Sequence, residues 1–390
     1  MRTVVVTQYK KLEYLPPVMA LLQTLKAIGA NVIYVGVHSD AGAQFLTKNG
    51  IEHYFMPGFN QKLYFSHGLL SKLTNRIRRA AAFYPHRSWF RSILDRLDHE
   101  HAGMVIWHSE VISAALLGDW GLRFPRRLLT IYELADFKGA SWLGFSLRKC
   151  LHNVRLVVPE YNRARILQEY FRLKHVPFVL PNKPWWHPRT KKLPLLSAEE
   201  RVFKQIDGRP VFLYQGVWTP DREDVSQVLE VIARERPNYC IVSLPGCPAV
   251  GALSRNYKNV FSLPQISAPD HLRVTSWATV GIAIYNASGT NLLQRLNAVY
   301  CAPNKIYEYT GFGVPVLCND MPGMKMIEDA GAGICMASLT ANDILSAADE
   351  LVKKQTSYCE ASNKFYESTN LEELVANILR GFDNRPDSNS

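Results

Sequence analysis

Short β-branched or apolar runs alternate along this chain with segments whose apolar residues recur at helical spacing. Thr3 to Thr7 is β-rich throughout, Pro17 to Ile28 is apolar on one helical face, and Asn31 to Val37 is β-rich again, with Gly29 as the helix stop between them. The same grammar predicts strands at Gly103–Trp107, Arg127–Tyr132 and Leu156–Pro159, and a helix at Val111–Leu117. Strands separated by helices predict a parallel sheet covered on both faces, because a parallel partner is reached only through a crossover.

From Phe178 to Leu196 the alternation gives way to a proline-rich stretch without acidic residues, which predicts an interdomain linker. It then resumes. Strands are predicted at Pro210–Tyr214, Tyr239–Leu244, Val260–Leu263, Val280–Tyr285 and Val314–Cys318, and helices at Val225–Glu235, His271–Trp277 and Asn304–Tyr309. The expected fold class is therefore α/β, with two Rossmann-like domains whose parallel sheets face each other across a cleft. The expected boundaries are 1–185, 186–367 and a C-terminal segment 368–390 with a frayed tail; the pattern leaves open whether its helix Leu371–Gly381 returns to the first domain. In such sheets ligands bind beyond the carboxyl ends of the strands, so the chemistry is expected there.

The 390 residues are too many for one ordinary core, and 47% hydrophobic against 20% charged residues describes a compact protein. A formal charge of +11 calls for an anionic partner, which can be a nucleic acid, an anionic membrane or a phosphorylated substrate. No run of about 18 apolar residues occurs, and the N-terminus enters a strand pattern at once, which predicts a protein neither exported nor membrane-spanning. The seven cysteines are scattered, odd in number and never spaced Cys-x-x-Cys; reduced thiols in a cytoplasmic protein are expected, without a disulfide framework or a zinc site.

The most informative segment runs from Ala302 to Leu317. Pro303 opens a helix, Glu308 stands one turn in, Gly311-Phe312-Gly313 stops it, and a buried strand follows. Free backbone donors at a helix start, with Lys305 beside them, suit a phosphate; Glu308 suits the two hydroxyls of a ribose. The plainer reading is helix punctuation with Lys305 and Glu308 as a solvated i, i+3 pair.

This segment resembles the retaining glycosyltransferases of family-4 type with the GT-B fold, in particular bacterial cell-surface polysaccharide enzymes that carry Pro-Asn-Lys-hydrophobic-aromatic-Glu-Tyr followed by Gly-x-Pro-Val. The resemblance implies that Glu308 binds the donor ribose and that Asn304 and Lys305 contact phosphate or sugar. Many members have a second glutamate eight positions earlier, where this chain has Tyr300. Val211 to Gly216 followed by Arg222 looks like the opening of the family's donor domain, which implies Gln215, Gly216 and Arg222 as donor contacts, with the arginine on the diphosphate. Leu263 falls in the loop expected beside the base, or is plain loop packing. The family's acceptor loop points to Gln8, Tyr9 and Lys10, although its frequent glycine pair is missing.

His108, Glu133 and Asp136 follow apolar strands, so they are expected to face the cleft, where an imidazole or carboxylate could orient or deprotonate an acceptor hydroxyl. Each can equally be structural. The expected catalytic set is thus Glu133 and His108 with Arg222 and Lys305, the two cations stabilising the departing diphosphate. No metal is expected, and no Asp-x-Asp occurs.

Between Gln61 and His101, eight lysines and arginines stand against three acids, interleaved with aromatics, and Trp142 to Lys149 repeats the theme. This suits an anionic membrane surface, or a helix pair whose aromatics are core. The expected function is transfer of a sugar from a nucleotide sugar, UDP-linked, to a saccharide or polyprenyl-diphosphate-linked acceptor, with retention, in cell-surface polysaccharide synthesis. The protein would sit peripherally on the inner face of the plasma membrane. A sugar-nucleotide epimerase or hydrolase on the same fold is the alternative. A nucleic-acid-binding protein has only the charge in its favour, since no recognition signature is present.

Overall fold

The computed structural model describes residues 2–57, 71–134, 151, 153–184, 192–216, 218, 224–289 and 291–381, with 71–84 as backbone only. The chain forms two units, Met1–Leu180 with Leu371–Ser390, and Pro181–Asn370. Each is a Rossmann-like α/β unit built on an all-parallel sheet.

In the first unit the strands are β1 (Thr3–Thr7), β2 (Asn31–Gly36), β3 (Glu52–Phe55), β4 (Val105–His108), β5 (Arg127–Thr130), β6 (Arg155–Val158) and β7 (Phe178–Val179), in the order β3-β2-β1-β4-β5-β6-β7. Helices α1 (Pro16–Ala27), α2 (Ser71–Glu100, with Pro85 inside it), α3 (Val111–Leu117) and α4 (Tyr161–Phe171) connect them. Val4, Val5 and Val6 are all fully buried, because helices cover both faces. Val4, Val6 and Trp107 face α1 and the C-terminal helix Leu371–Arg380, which contributes Val375, Ile378 and Leu379. Val5 and Ile106 face the other way, onto Phe90, Leu94 and Leu97 of α2 and Leu116 of α3.

The second unit holds β8 (Val211–Gln215), β9 (Cys240–Leu244), β10 (Val260–Ser262), β11 (Val280–Ala283), β12 (Val316–Asn319) and β13 (Gly333–Met336), in the order β10-β9-β8-β11-β12-β13. On one face Phe212, Tyr214, Ile241 and Ile282 pack against α5 (Ser226–Glu235) and against Ile344, Ala348 and Leu351 of the helix Ala341–Lys353. On the other, Leu213, Val242, Ala283 and Val316 meet Ile306, Tyr307 and Tyr309. Those three belong to a short helix, Asn304–Thr310, that follows the four-residue helix α6 (Leu272–Thr275) in the chain and is called α7 below.

In each sheet the first strand of the unit lies between its second and fourth, so the strand order reverses between β1 and β4 and between β8 and β11. Those are the topological switch points at which doubly wound sheets open a crevice.

The three strands that the sequence pattern did not predict, β3, β7 and β13, all lie at sheet edges, where mixed burial dilutes the apolar run. The expected helix His271–Trp277 is shorter, at Leu272–Thr275. The proline-rich stretch from Phe178 begins as strand β7, and the residues after it are tied down: Asn182 Nδ2 donates to the Ala302 carbonyl at 2.8 Å, and Lys183 Nζ to the Tyr366 and Thr369 carbonyls at 2.5 and 2.6 Å. Residues 185–191 of it lie outside the described residues. Among the described residues no helix is long and apolar enough to cross a membrane.

Candidate functional site

Of the residues expected to bind a donor, Gln215 and Gly216 lie at the end of β8, beside the β8/β11 switch point, and α7 brings Asn304, Lys305 and Glu308. Its position is set by Tyr309, whose ring lies flat against the backbone of Gly281 on β11; a Cβ at residue 281 would come within 2.2 Å of that ring. The Tyr309 hydroxyl accepts from the Gln215 N–H at 3.2 Å and donates to the Leu213 carbonyl at 3.0 Å, which joins α7 to the end of β8. Lys305 to Thr310 are all buried as a result.

One residue before Tyr309, the Glu308 carboxylate is only 6% exposed, and a buried charge needs donors. Gln215 Nε2 donates to its Oε2 at 2.5 Å, and Gln215 Oε1 in turn accepts from Thr275 Oγ1 at 2.7 Å, so the amide has one orientation. His271 Nε2 stands 3.2 Å from Oε1. Burial works against the imidazolium, but the charge of Glu308, the hydrogen bond to it and the nearby Asp270 hold the ring above its ordinary value. The plainer sequence reading, Glu308 and Lys305 as a solvated surface pair, does not survive: both are buried.

Lys305 Nζ lies 5.0 Å from the Tyr214 ring and 5.4 Å from the Tyr285 ring, a cation held over two π faces. Tyr285 is fixed in turn by Asn319, whose side chain accepts from the Tyr285 N–H at 2.9 Å and donates to its carbonyl at 2.8 Å. Asn304 is half-buried at the first position of α7. Gly216 ends β8 with φ of +129°, a conformation other residues rarely adopt, and its N–H reaches the Leu244 carbonyl at 2.9 Å. Leu263 is 3% exposed and belongs to the core cluster, the packing role that the sequence left open for it. Arg222 lies outside the described residues, as does Asp136. Sequence reasoning passed over Thr275 and His271; polar residues at the two ends of a short apolar helix carry no signal until the fold sets one against Gln215 and the other against Glu308.

In the first unit the switch point between β1 and β4 carries Gln8, Tyr9 and Lys10. Gln8 and Tyr9 are fully buried; Tyr9 is a core residue whose hydroxyl meets His86 Nδ1 at 3.1 Å, so of the three only Lys10 offers an exposed side chain. His108, expected to face an open cleft, is instead wholly buried. It ends β4 on the face opposite Trp107, under α2 and α3, with Nδ1 2.8 Å from Thr7 Oγ1, and burial, helped by Arg127, pushes its pKa down to about 3. A neutral ring of that kind is structural. Glu133 is exposed and stands 4.0 Å from the buried Arg163.

The ionisable group that does sit at this switch point is Glu110. Its Oε1 accepts from the Tyr9 N–H at 2.6 Å, and its Oε2 stands 3.7 Å from Lys10 Nζ. Burial pushes its carboxyl up, against the opposing pull of Lys10 and the Tyr9 N–H. Its signal in the sequence was its place directly after an apolar strand, two residues beyond His108.

Of the basic and aromatic residues between 61 and 101, Lys62, Phe65, Leu69 and Leu70 lie outside the described residues, as does the segment from Trp142 to Lys149. Lys72, Arg76, Arg78, Arg79, Phe83 and Tyr84 fall in the stretch described as backbone only, and three of the remaining residues have contacts within the unit. Phe90 is core, Arg91 donates to the Leu117 carbonyl at 2.9 Å and lies over the Trp120 ring at 5.3 Å, and Arg96 lies over Tyr54 at 4.7 Å.

No protein-family model and no curated protein matches the chain. Solved structures do. Anabaena HepE in complex with UDP and glucose is similar at a TM-score of 0.66 and 10% identity, with 99% of this chain and 100% of that one covered. A glycosyltransferase from Rickettsia africae gives 0.61 at 12% identity, covering 98% of each chain, and a putative UDP-N-acetylglucosamine 2-epimerase from Listeria monocytogenes gives 0.57 at 13%, covering 99% and 97%. At such identities the likeness establishes a shared fold of two Rossmann-like units.

Proposed function

We propose that the chain is a glycosyltransferase that binds a nucleoside-diphosphate sugar, UDP-linked, in the Pro181–Asn370 unit and transfers the sugar to an acceptor held by the other unit. The observation that carries this reading is the buried Glu308 carboxylate, oriented by Gln215 and His271 on the same short helix as the Lys305 ammonium. A diol acceptor and a cation one turn apart match a ribose and the phosphate attached to it. The similar HepE structure, which holds UDP and glucose, supports the same donor class.

In this reading Lys305 and Arg222 stabilise the charge that grows on the diphosphate as the sugar leaves, so the rate enhancement is mainly electrostatic and calls for no divalent metal. On the acceptor side Lys10 and Glu110 replace His108, which burial removes from the reaction. The acceptor is a saccharide or a polyprenyl-diphosphate-linked one, the product a cell-surface polysaccharide, and the configuration is retained; these rest on the resemblance of the Pro303–Val316 segment.

Calorimetric titration of UDP, GDP and ADP tests the donor site directly. One nucleotide is expected to bind, and Glu308→Ala to weaken it by about 1–3 kcal/mol, the cost of losing hydrogen bonds to a charged acceptor. Binding of none of the three by the wild type defeats the reading. Release of an epimer or of free sugar from the nucleotide sugar, with no acceptor present, favours an epimerase or hydrolase instead, the activity class named for the similar Listeria protein.

A further inference from the structure

Above, His271 serves only to orient the central carboxylate, and its own proton has no role there. An ionised carboxylate has no proton to give, so the hydrogen between His271 Nε2 and Glu308 Oε1 belongs to the imidazole. That sets the tautomer: the proton that comes and goes with pH is the one on Nδ1. Nδ1 is buried and has no hydrogen-bond partner among the described residues.

Among the described residues the charged groups around the ring are few. Glu308 faces it from α7, and Asp270 precedes it in the chain. Arg273 is spent on Asp270 at 3.4 Å and on Glu199, from the helix Ser197–Ile206, at 3.1 Å. Lys305, on α7, lies over the Tyr214 and Tyr285 rings. Strand β8 and α6 contribute the neutral Gln215 and Thr275.

We infer that His271 is a positioning residue that makes donor affinity depend on pH, because its proton turns the Glu308–His271 pair from a net negative charge into a neutral, charge-assisted clamp. The inference rests on the reading of Glu308 as a donor contact. With Nδ1 protonated, the carboxylate is pinned by the stronger class of hydrogen bond, and the buried pair does not repel an anionic diphosphate. When that proton leaves, the bond at Oε1 persists with only its acceptor charged, weaker than the ion pair, and a net negative charge stays in the site. Both effects act in the same direction, and affinity falls as pH rises.

UDP-glucose is the suitable probe, because both of its phosphates are esterified and do not titrate near neutrality. Its dissociation constant with the wild-type protein is expected to rise about fivefold between pH 6.5 and 8.5, as the pair loses its second charge and becomes net negative. His271→Gln, which keeps a donor near the Nε2 position and has no proton to lose, is expected to show a flat profile at the wild type's alkaline value. A flat wild-type profile, or a His271→Gln profile that still falls with pH, overturns the inference.

The imidazole itself gives a second readout that needs no nucleotide. Its titration, followed by NMR through the C2 proton, is expected to move to lower pH in Glu308→Gln, and an unmoved titration overturns the inference independently of binding. If UDP-glucose binds at no pH while the imidazole shift is seen, the donor reading fails and the coupling of His271 to Glu308 stands.

Discussion

His108 and Glu110 stand two positions apart, and burial pushes each toward its neutral form: the imidazole down to about 3, the carboxyl up. For His108 this has a consequence for stability. The unfolded ring takes up a proton below its ordinary value near 6.5, while the folded one stays neutral until about pH 3, so the protein loses stability as pH falls through that window. The slope due to this one residue is about 1.4 kcal/mol per pH unit at most. Denaturation midpoints measured from pH 7 to 4 are expected to fall less steeply in His108→Asn, which keeps a polar atom near the Nδ1 position for Thr7. Equal slopes in the two proteins would refute the buried, neutral state. A histidine after an apolar strand reads the same in sequence whether it lines a cleft or fills a core; only the direction of its side chain from the sheet separates the two.

Among the elements, α7 shows how a site is set by backbone shape. The segment from Pro303 to Val316 was legible in the sequence as loop, helix and strand, with Glu308 and Lys305 as its chemistry, and the helix lies within one residue of its expected range. What the spacing did not contain was its anchor. Tyr309 reaches the ends of β8 and β11 only because residue 281 has no side chain. Gly281→Ala is therefore expected to displace the Tyr309 ring, destabilise the second unit by about 1–3 kcal/mol and weaken nucleotide binding with it. Urea denaturation and nucleotide titration of one variant check both, and binding that stayed at the wild-type level would separate the anchor from the site. The partners of Glu308 come from β8 and from the residue just before α6, and Thr275 of α6 holds the first of them, nearly a hundred positions away at most; no spacing rule links 215, 271, 275 and 308.

At the scale of the whole molecule the formal charge of +11 acts through space and is independent of any single contact. If the acceptor is lipid-linked, the protein is expected to co-sediment with anionic vesicles at low salt, to leave neutral ones in solution and to be released as salt screens the attraction. No binding to anionic vesicles at low salt would remove the membrane from the proposal. At the described end of α2, Arg91 is held by the Leu117 carbonyl, while Arg96, half-exposed over Tyr54, still presents its charge at the surface.

The amino-acid sequence by itself determined the two alternations of strand and helix, and with them two parallel sheets, because period and crossover length are local properties of the chain. It also singled out the segment on which the proposed donor site rests, since helix start, cation, carboxylate and helix stop fall within a dozen residues. The tertiary structure alone decided which polar residues are buried, which strands sit at the edges, and which distant side chains meet Glu308. Those depend on strand order and on the face from which each side chain leaves the sheet, and both are set when the whole sheet assembles.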